Sequence, residues 1–262
     1  MTTYKDIGVT KGTNFVGTIE IQRPPHNFFD MALIQQIATA MEEFDKDDSV
    51  RAVVLCAQGK SFCAGANFND PGRQEQPTNV GGSPTNHLYQ EAVRLLRTKK
   101  PIVAAVHGAA IGGGLGVACA ADFRVTCPEA RFAANFTRLG FHPGFGLTVL
   151  LTELVGKNQA ELLFYTGRRI GGEEATRIGL ANVCVPQDQV RAEATKLAAE
   201  IAESAPLAII STRKTMRGTL ADRVKAATDH ELKEQTWLRG TEDFKEGVKA
   251  TNERRVANWK GR

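Results

Sequence analysis

The sequence predicts an α/β core followed by an all-helical C-terminal region. Up to Pro186, short runs rich in Val, Ile and Phe alternate with amphipathic runs of helical period, whereas beyond Pro186 only helical runs remain. At the centre, IVAAVHGAAIGGGLGVACAAD (residues 102–122) joins an apolar strand and its continuation to an apolar helix through Gly112, Gly113 and Gly114. Glycine allows a sharp turn and a close approach of backbone to ligand. The first N–H groups of a helix starting there have no partner within it, so they are suited to hold a negative oxygen.

Residues 4–21 read as two strands around a Lys11-Gly12-Thr13-Asn14 turn, since Val16, Ile19 and Ile21 favour strands and the turn residues punctuate them. Arg23-Pro24-Pro25-His26-Asn27 interrupts the pattern. Asp30 is placed to cap a helix over 31–44, with Leu33, Ile34, Ile37, Met41 and Phe44 on one face. A strand over 52–56 leads into the small-residue segment GKSFCAGAN (59–67). Residues 69–86, rich in Gly, Pro, Gln, Ser and Thr, have the composition of a mobile loop or lid. A helix over 87–97, the central strand and a strand over 122–127 follow. Helices are expected over 145–156, 158–165, 187–203, 206–216, 220–238 and 242–250. The core is assigned to residues 1–200 and the helical region to 201–262.

A chain of 262 residues with 42% hydrophobic content can bury a sizeable core and suits one main domain. Its start, MTTYKDIGV, lacks a basic region followed by an apolar run, and no apolar run reaches the roughly 18 residues of a membrane helix. A cytoplasmic protein with no membrane contact is the expectation. The five cysteines form no CxxC, which suits reduced thiols, and five scattered histidines without paired spacing argue against a metal site. A net charge of +4 from dispersed basic residues argues against nucleic acid and suits a small phosphate-bearing ligand. Six Lys or Arg against two Glu over residues 245–262 read as a solvated face. Nucleotide loops are excluded, because the dinucleotide fingerprint would need glycine at Val117 and no GxxxxGK[ST] occurs.

The segments FCAGAN and HGAAIGGGLG together resemble the crotonase (enoyl-CoA hydratase/isomerase) superfamily, whose corresponding motifs read roughly FxAGAD and NGxAxGGGxE. TGRRIGGEEATRIGLANVCVP (166–186) is similar to the family's TGRxIxAxEAxxxGLVxxVVP. The resemblance implies a crotonase-like ββα spiral core with a helical C-terminal trimerisation region, assembled as a homotrimer or a dimer of trimers. It also implies an acyl-CoA thioester substrate, with coenzyme A part of that substrate and no separate cofactor.

On the same resemblance, the backbone N–H groups of Ala66 and Gly113 form an oxyanion hole for the thioester oxygen, and CoA lies along Ala64, Gly65 and Ala66. Preorganised donors of this kind act where charge develops in the transition state. Asn67 stands where the family usually has an acid. The two glutamates with which the family's hydratases move protons would fall at Gly116 and Phe136, and the acid often used by its isomerases at Gly144. All three positions lack an ionisable group. His142, Tyr89 and His87 are the candidates to take over proton transfer, and Phe28 joins Gly116, Phe136 and Gly144 as a candidate wall of the acyl pocket. The bulk of Phe136 suggests an apolar acyl group, aromatic or branched.

Three functions fit: an acyl-CoA enzyme that stabilises an enolate without the hydratase glutamates, a non-catalytic acyl-CoA-binding protein, or another reaction on the scaffold such as thioester hydrolysis or decarboxylation. Dehalogenation would need a nucleophilic carboxylate where Gly144 stands.

Overall fold

The computed structural model describes residues 2–67 and 88–262. The expected loop at 69–86 and the candidate His87 lie outside them. The chain opens with the antiparallel pair β1 (Ile7–Lys11) and β2 (Val16–Ile21). Helix α1 (Met31–Asp45) starts where Asp30 caps it, the Leu33 N–H donating to Asp30 Oδ1 at 2.9 Å.

Two sheets share the following strands. The first has the order β1-β2-β3-β5-β7-β10, with β3 (Ala52–Ala57), β5 (Ile102–Val106), β7 (Phe123–Thr126) and β10 (Val183–Cys184). The second has the order β4-β6-β8-β9, with β4 (Ser61–Cys63), β6 (Ala109–Ile111), β8 (Arg131–Ala133) and β9 (Arg169–Ile170). Consecutive strands β3/β4, β5/β6 and β7/β8 thus each give one strand to either sheet. The apolar strand and its continuation in residues 102–111 are therefore two strands in different sheets. Their partners run parallel, and β3 and β5 are buried at every residue, as strands covered on both faces must be.

Helices cover these sheets: α2 (Leu88–Leu96) packs on α1, and α3 (Gly113–Ala120) follows the glycine turn. Next come α4 (Leu147–Val155), α5 (Lys157–Thr166) and α6 (Gly172–Arg177), and then α7 (Val190–Ala202), which lies across β3, β5 and β7. The C-terminal helices are α8 (Pro206–Arg217), α9 (Leu220–Leu238) and α10 (Glu242–Asn252). Two clamps hold this frame. The buried Arg124 guanidinium donates to the carbonyls of Leu180, Ala118, Ala121 and Asp122, which ties the end of α3 to the loop after α6. Asp122, between α3 and β7, binds Arg213 and Arg217 of α8 at 2.9 Å each. Among the described residues, no helix is long and apolar enough to cross a membrane.

Candidate active site

The centre of the molecule is a contact between two backbone segments. Strand β6 ends at Ile111 and is followed by Gly112, whose φ of 55° is open to glycine and whose N–H donates to Ala133 O at 2.8 Å. Residues 63–66 lie against this turn so closely that side chains are excluded. A Cβ at Gly114 would stand 2.0 Å from Cys63 O, and one at Gly65 would stand 2.6 Å from Ile111 O and 3.9 Å from Gly113 N. The second segment is fixed from outside as well, because Ala64 N–H donates to His26 O and Phe29 N–H to Gly65 O, both at 3.0 Å. Neither Ala66 N–H nor Gly113 N–H meets an acceptor among the described residues. Gly113 is moreover buried at the positive end of α3, where a buried donor favours a negative oxygen.

Aromatic rings cover the face of α3 formed by Gly113 and Gly116. Gly113 and Gly116 are three residues apart and so share a face. The Phe29 ring covers the first, Cζ lying 2.1 Å from where a Cβ would be, and the Phe145 ring covers the second, with Cδ1 at 2.5 Å. The two rings meet edge to face with centroids 6.0 Å apart. Phe29 rather than Phe28 is thus the ring on the glycine turn, because Phe28 is half-buried beside the exposed His26 at 5.5 Å. Phe136 brings its Cζ to 3.7 Å from the position of a Cβ on Gly112 and packs edge-on against Phe141, which in turn packs against Phe244 of α10.

The third place at which the resemblance allows an acid is also filled. A Cβ on Gly144 would lie 2.0 Å from the Tyr89 hydroxyl and 2.4 Å from Gln235 Nε2. These groups form a buried network: Tyr89 Oη donates to Gln235 Oε1 at 2.9 Å, Gln235 Nε2 donates to His142 O at 2.9 Å, and Arg239 Nη2 donates to Gln235 Oε1 at 3.3 Å. Burial, together with the nearby Glu231 charge, holds the Tyr89 phenol well above its ordinary range, so the hydroxyl stays protonated at neutral pH. His142 turns Nδ1 to Pro143 O at 2.8 Å and meets the His230 ring edge to face at 5.9 Å.

Glu231 of α9 is a buried carboxylate at the start of α4. It accepts from Gly146 N–H at 2.8 Å, Thr148 N–H at 3.2 Å and Thr148 Oγ1 at 2.6 Å. Burial raises its pKa despite these donors. Cys63, beside the oxyanion candidates, has its thiol pushed up to about 12 by burial, so it is no nucleophile at neutral pH.

Of the residues singled out in the sequence, the fold therefore brings Ala64, Gly65, Ala66, Gly113 and Gly116 together, with Phe136 at the turn's edge. It gathers Tyr89, His142 and Gly144 around Gln235. Phe29 belongs to the Phe28-Phe29 pair that the sequence offers for the acyl channel or the core, whereas Phe145, Gln235 and Glu231 are functional candidates that sequence reasoning missed. Phe145 is announced only by its setting between Gly144 and Gly146, and nothing local marks Gln235 or Glu231 within a polar helix.

The arrangement provides two N–H groups without an acceptor among the described residues, beside an apolar, ring-covered surface, and it offers no carboxylate at the three compared positions. Comparison with known proteins gives it a context. The family model described as enoyl-CoA hydratase/isomerase matches residues 11–262. A probable enoyl-CoA hydratase of Bacillus subtilis is 30% identical over 253 residues, covering 94% of this chain and 96% of its own. A short-chain-enoyl-CoA hydratase of Clostridium acetobutylicum is 33% identical over 244 residues, covering 92% of both. The crystal structure of a carnitinyl-CoA hydratase from Mycobacterium avium superposes with a TM-score of 0.85 at 31% identity, covering 99% of this chain and 100% of that one.

Proposed function

Because the chain belongs to the enoyl-CoA hydratase/isomerase family of enzymes, we propose that it binds an acyl-CoA thioester and stabilises the enolate-like charge on the thioester oxygen without the two hydratase glutamates. One observation carries the reading: the Gly113 N–H is buried at a helix start, lacks an acceptor among the described residues, and lies beside the 64–66 backbone. In this reading the thioester oxygen accepts from Ala66 N–H and Gly113 N–H. Each such donor contributes about 3 kcal/mol to the transition state, because it is already oriented in a site poor in water. The 64–66 backbone carries the CoA moiety, and the rings of Phe29, Phe136 and Phe145 exclude water from the acyl carbons.

Proton movement falls to a group outside the usual glutamate pair. Tyr89 and His142 remain the described candidates, both joined to Gln235. The protein acts in the cytoplasm as a trimer or dimer of trimers. Assembly is supported by Leu207 and Met216 of α8, which are 80% and 81% exposed in the single chain, and light scattering reads it directly.

A second reading, an acyl-CoA-binding protein without turnover, draws on a different observation: Phe145 fills the space over Gly116, and Tyr89 with Gln235 fills the space beside Gly144. Mass spectrometry of an acyl-CoA panel incubated with the protein in heavy water separates the two. Deuterium entering next to the thioester supports the enolate reading. Bound but unchanged thioesters support the second, and failure of every thioester to bind contradicts both.

A further inference from the structure

Gly113, one of the two oxyanion candidates, also belongs to the ring-covered face of α3, and this limits what can enter. An acyl group whose carbonyl oxygen is held at Gly113 N–H has its first carbons beside that face. The neighbouring space over Gly116 is taken by Phe145, whose Cδ1, Cγ and Cβ stand 2.5, 2.8 and 2.9 Å from where even a methyl on Gly116 would be.

The ring is also held in place. Phe145 has a φ of 64°, a region that residues with side chains seldom adopt and keep only when their surroundings fix it. The fixing groups are present on both sides: the Tyr89 hydroxyl fills the space beside the preceding Gly144, and the next N–H, of Gly146, donates to Glu231 at 2.8 Å. Phe29 closes the remaining side, edge to face. Phe145 is 1% exposed, so the ring fills the space rather than lining a wide one.

We propose that Phe145 is the specificity-determining residue of this site, and that its ring over Gly116 restricts the site to CoA thioesters of short, unbranched acyl groups. The acyl class is thus narrower than the aromatic or branched group that Phe136 alone suggests. The proposal rests on the acyl-CoA reading above.

The test is calorimetric titration of the full-length protein with acetyl-, butyryl-, isobutyryl- and octanoyl-CoA, repeated on Phe145→Gly and Phe145→Leu. Glycine removes the ring and tolerates the positive φ, whereas leucine keeps an apolar side chain should the glycine variant unfold. The parent should bind butyryl-CoA more tightly than isobutyryl- and octanoyl-CoA. The variants should shift that ratio toward the larger groups by about tenfold or more, the scale on which a pocket discriminates a few methylenes. Equal parent affinities for butyryl-, isobutyryl- and octanoyl-CoA, or an unmoved ratio in a folded variant, would overturn the proposal while leaving acyl-CoA binding intact. Failure of the parent to bind any of the four would instead overturn the acyl-CoA reading, and the proposal with it.

Discussion

The Tyr89 hydroxyl donates to Gln235 Oε1 at 2.9 Å, in the space that any side chain at Gly144 would require. A residue of α2 and one of α9 thus close the position at which relatives are expected to carry an acid. Tyr89→Phe removes the link and leaves Gln235 Oε1 with Arg239 Nη2, at 3.3 Å, as its remaining donor. Loss of a buried hydrogen bond of this kind costs about 0.5–1.5 kcal/mol, which urea denaturation of the variant should show. A variant as stable as the parent would contradict the network.

Gly116 and Phe145 form a second such pair. Gly116→Ala should itself destabilise the fold by about 1–3 kcal/mol, because its methyl would overlap the Phe145 ring. Gly116→Glu alone should therefore give a weakened protein and no gain in hydration. Combined with Phe145→Gly, the carboxylate gains room. Thermal melts and crotonyl-CoA hydration rates of the three variants check this order.

The fold was largely legible in the sequence because it is written in local patterns. β-branched runs marked β2, β3 and β5, Asp30 marked the start of α1, and helical periods after Pro186 marked the C-terminal helices to within a few residues. What escaped was non-local. The crossing from β5 to β6 takes the chain into another sheet between Val106 and Ala109, and the two- and three-residue strands β8, β9 and β10 exist only through their partners. In the site, the glycine turn and its partner segment could be read from their motifs. The reason why Gly116 is glycine could not, because the ring that requires it lies 29 positions later at Phe145 and is turned inward by a positive φ.

Glu231 gives a pH signature. Burial raises its pKa above the ordinary 4.5, so the folded state holds this proton more tightly than the unfolded chain does. A group of this sign contributes stability in full below the unfolded pKa and loses it as pH rises through the folded pKa. The stability difference between the parent and Glu231→Gln should therefore shrink as pH is raised from 4.5 toward neutrality. Denaturation curves at a series of pH values would show it, and a difference that grows with pH would contradict the assignment.

The oxyanion assignment needs a change that removes an N–H and nothing else. Proline at position 113 is unsuitable, because any Cβ there meets Phe29 at 2.1 Å. Replacing the Gly113 amide by an ester removes the donor without adding an atom beside the ring. Turnover should fall by about 10²–10³-fold, with acyl-CoA affinity little changed, since the hole acts mainly on developing charge. Unchanged turnover in the ester protein would remove Gly113 from the mechanism.

In the proposed function this scaffold holds an acyl-CoA thioester without the proton-transferring pair of a hydratase. The most direct measurement is loss of the enoyl absorbance when the unaltered protein is given crotonyl-CoA, whose short, straight acyl group the site admits on the reading above. Each missing acid or base withholds typically about 10²–10⁴-fold in rate. The predicted result is binding with hydration slower than that of a glutamate-bearing relative by at least the lower figure. Hydration at a rate comparable to such a relative would contradict the account and direct attention to Tyr89, His142 or a carboxylate outside the site described.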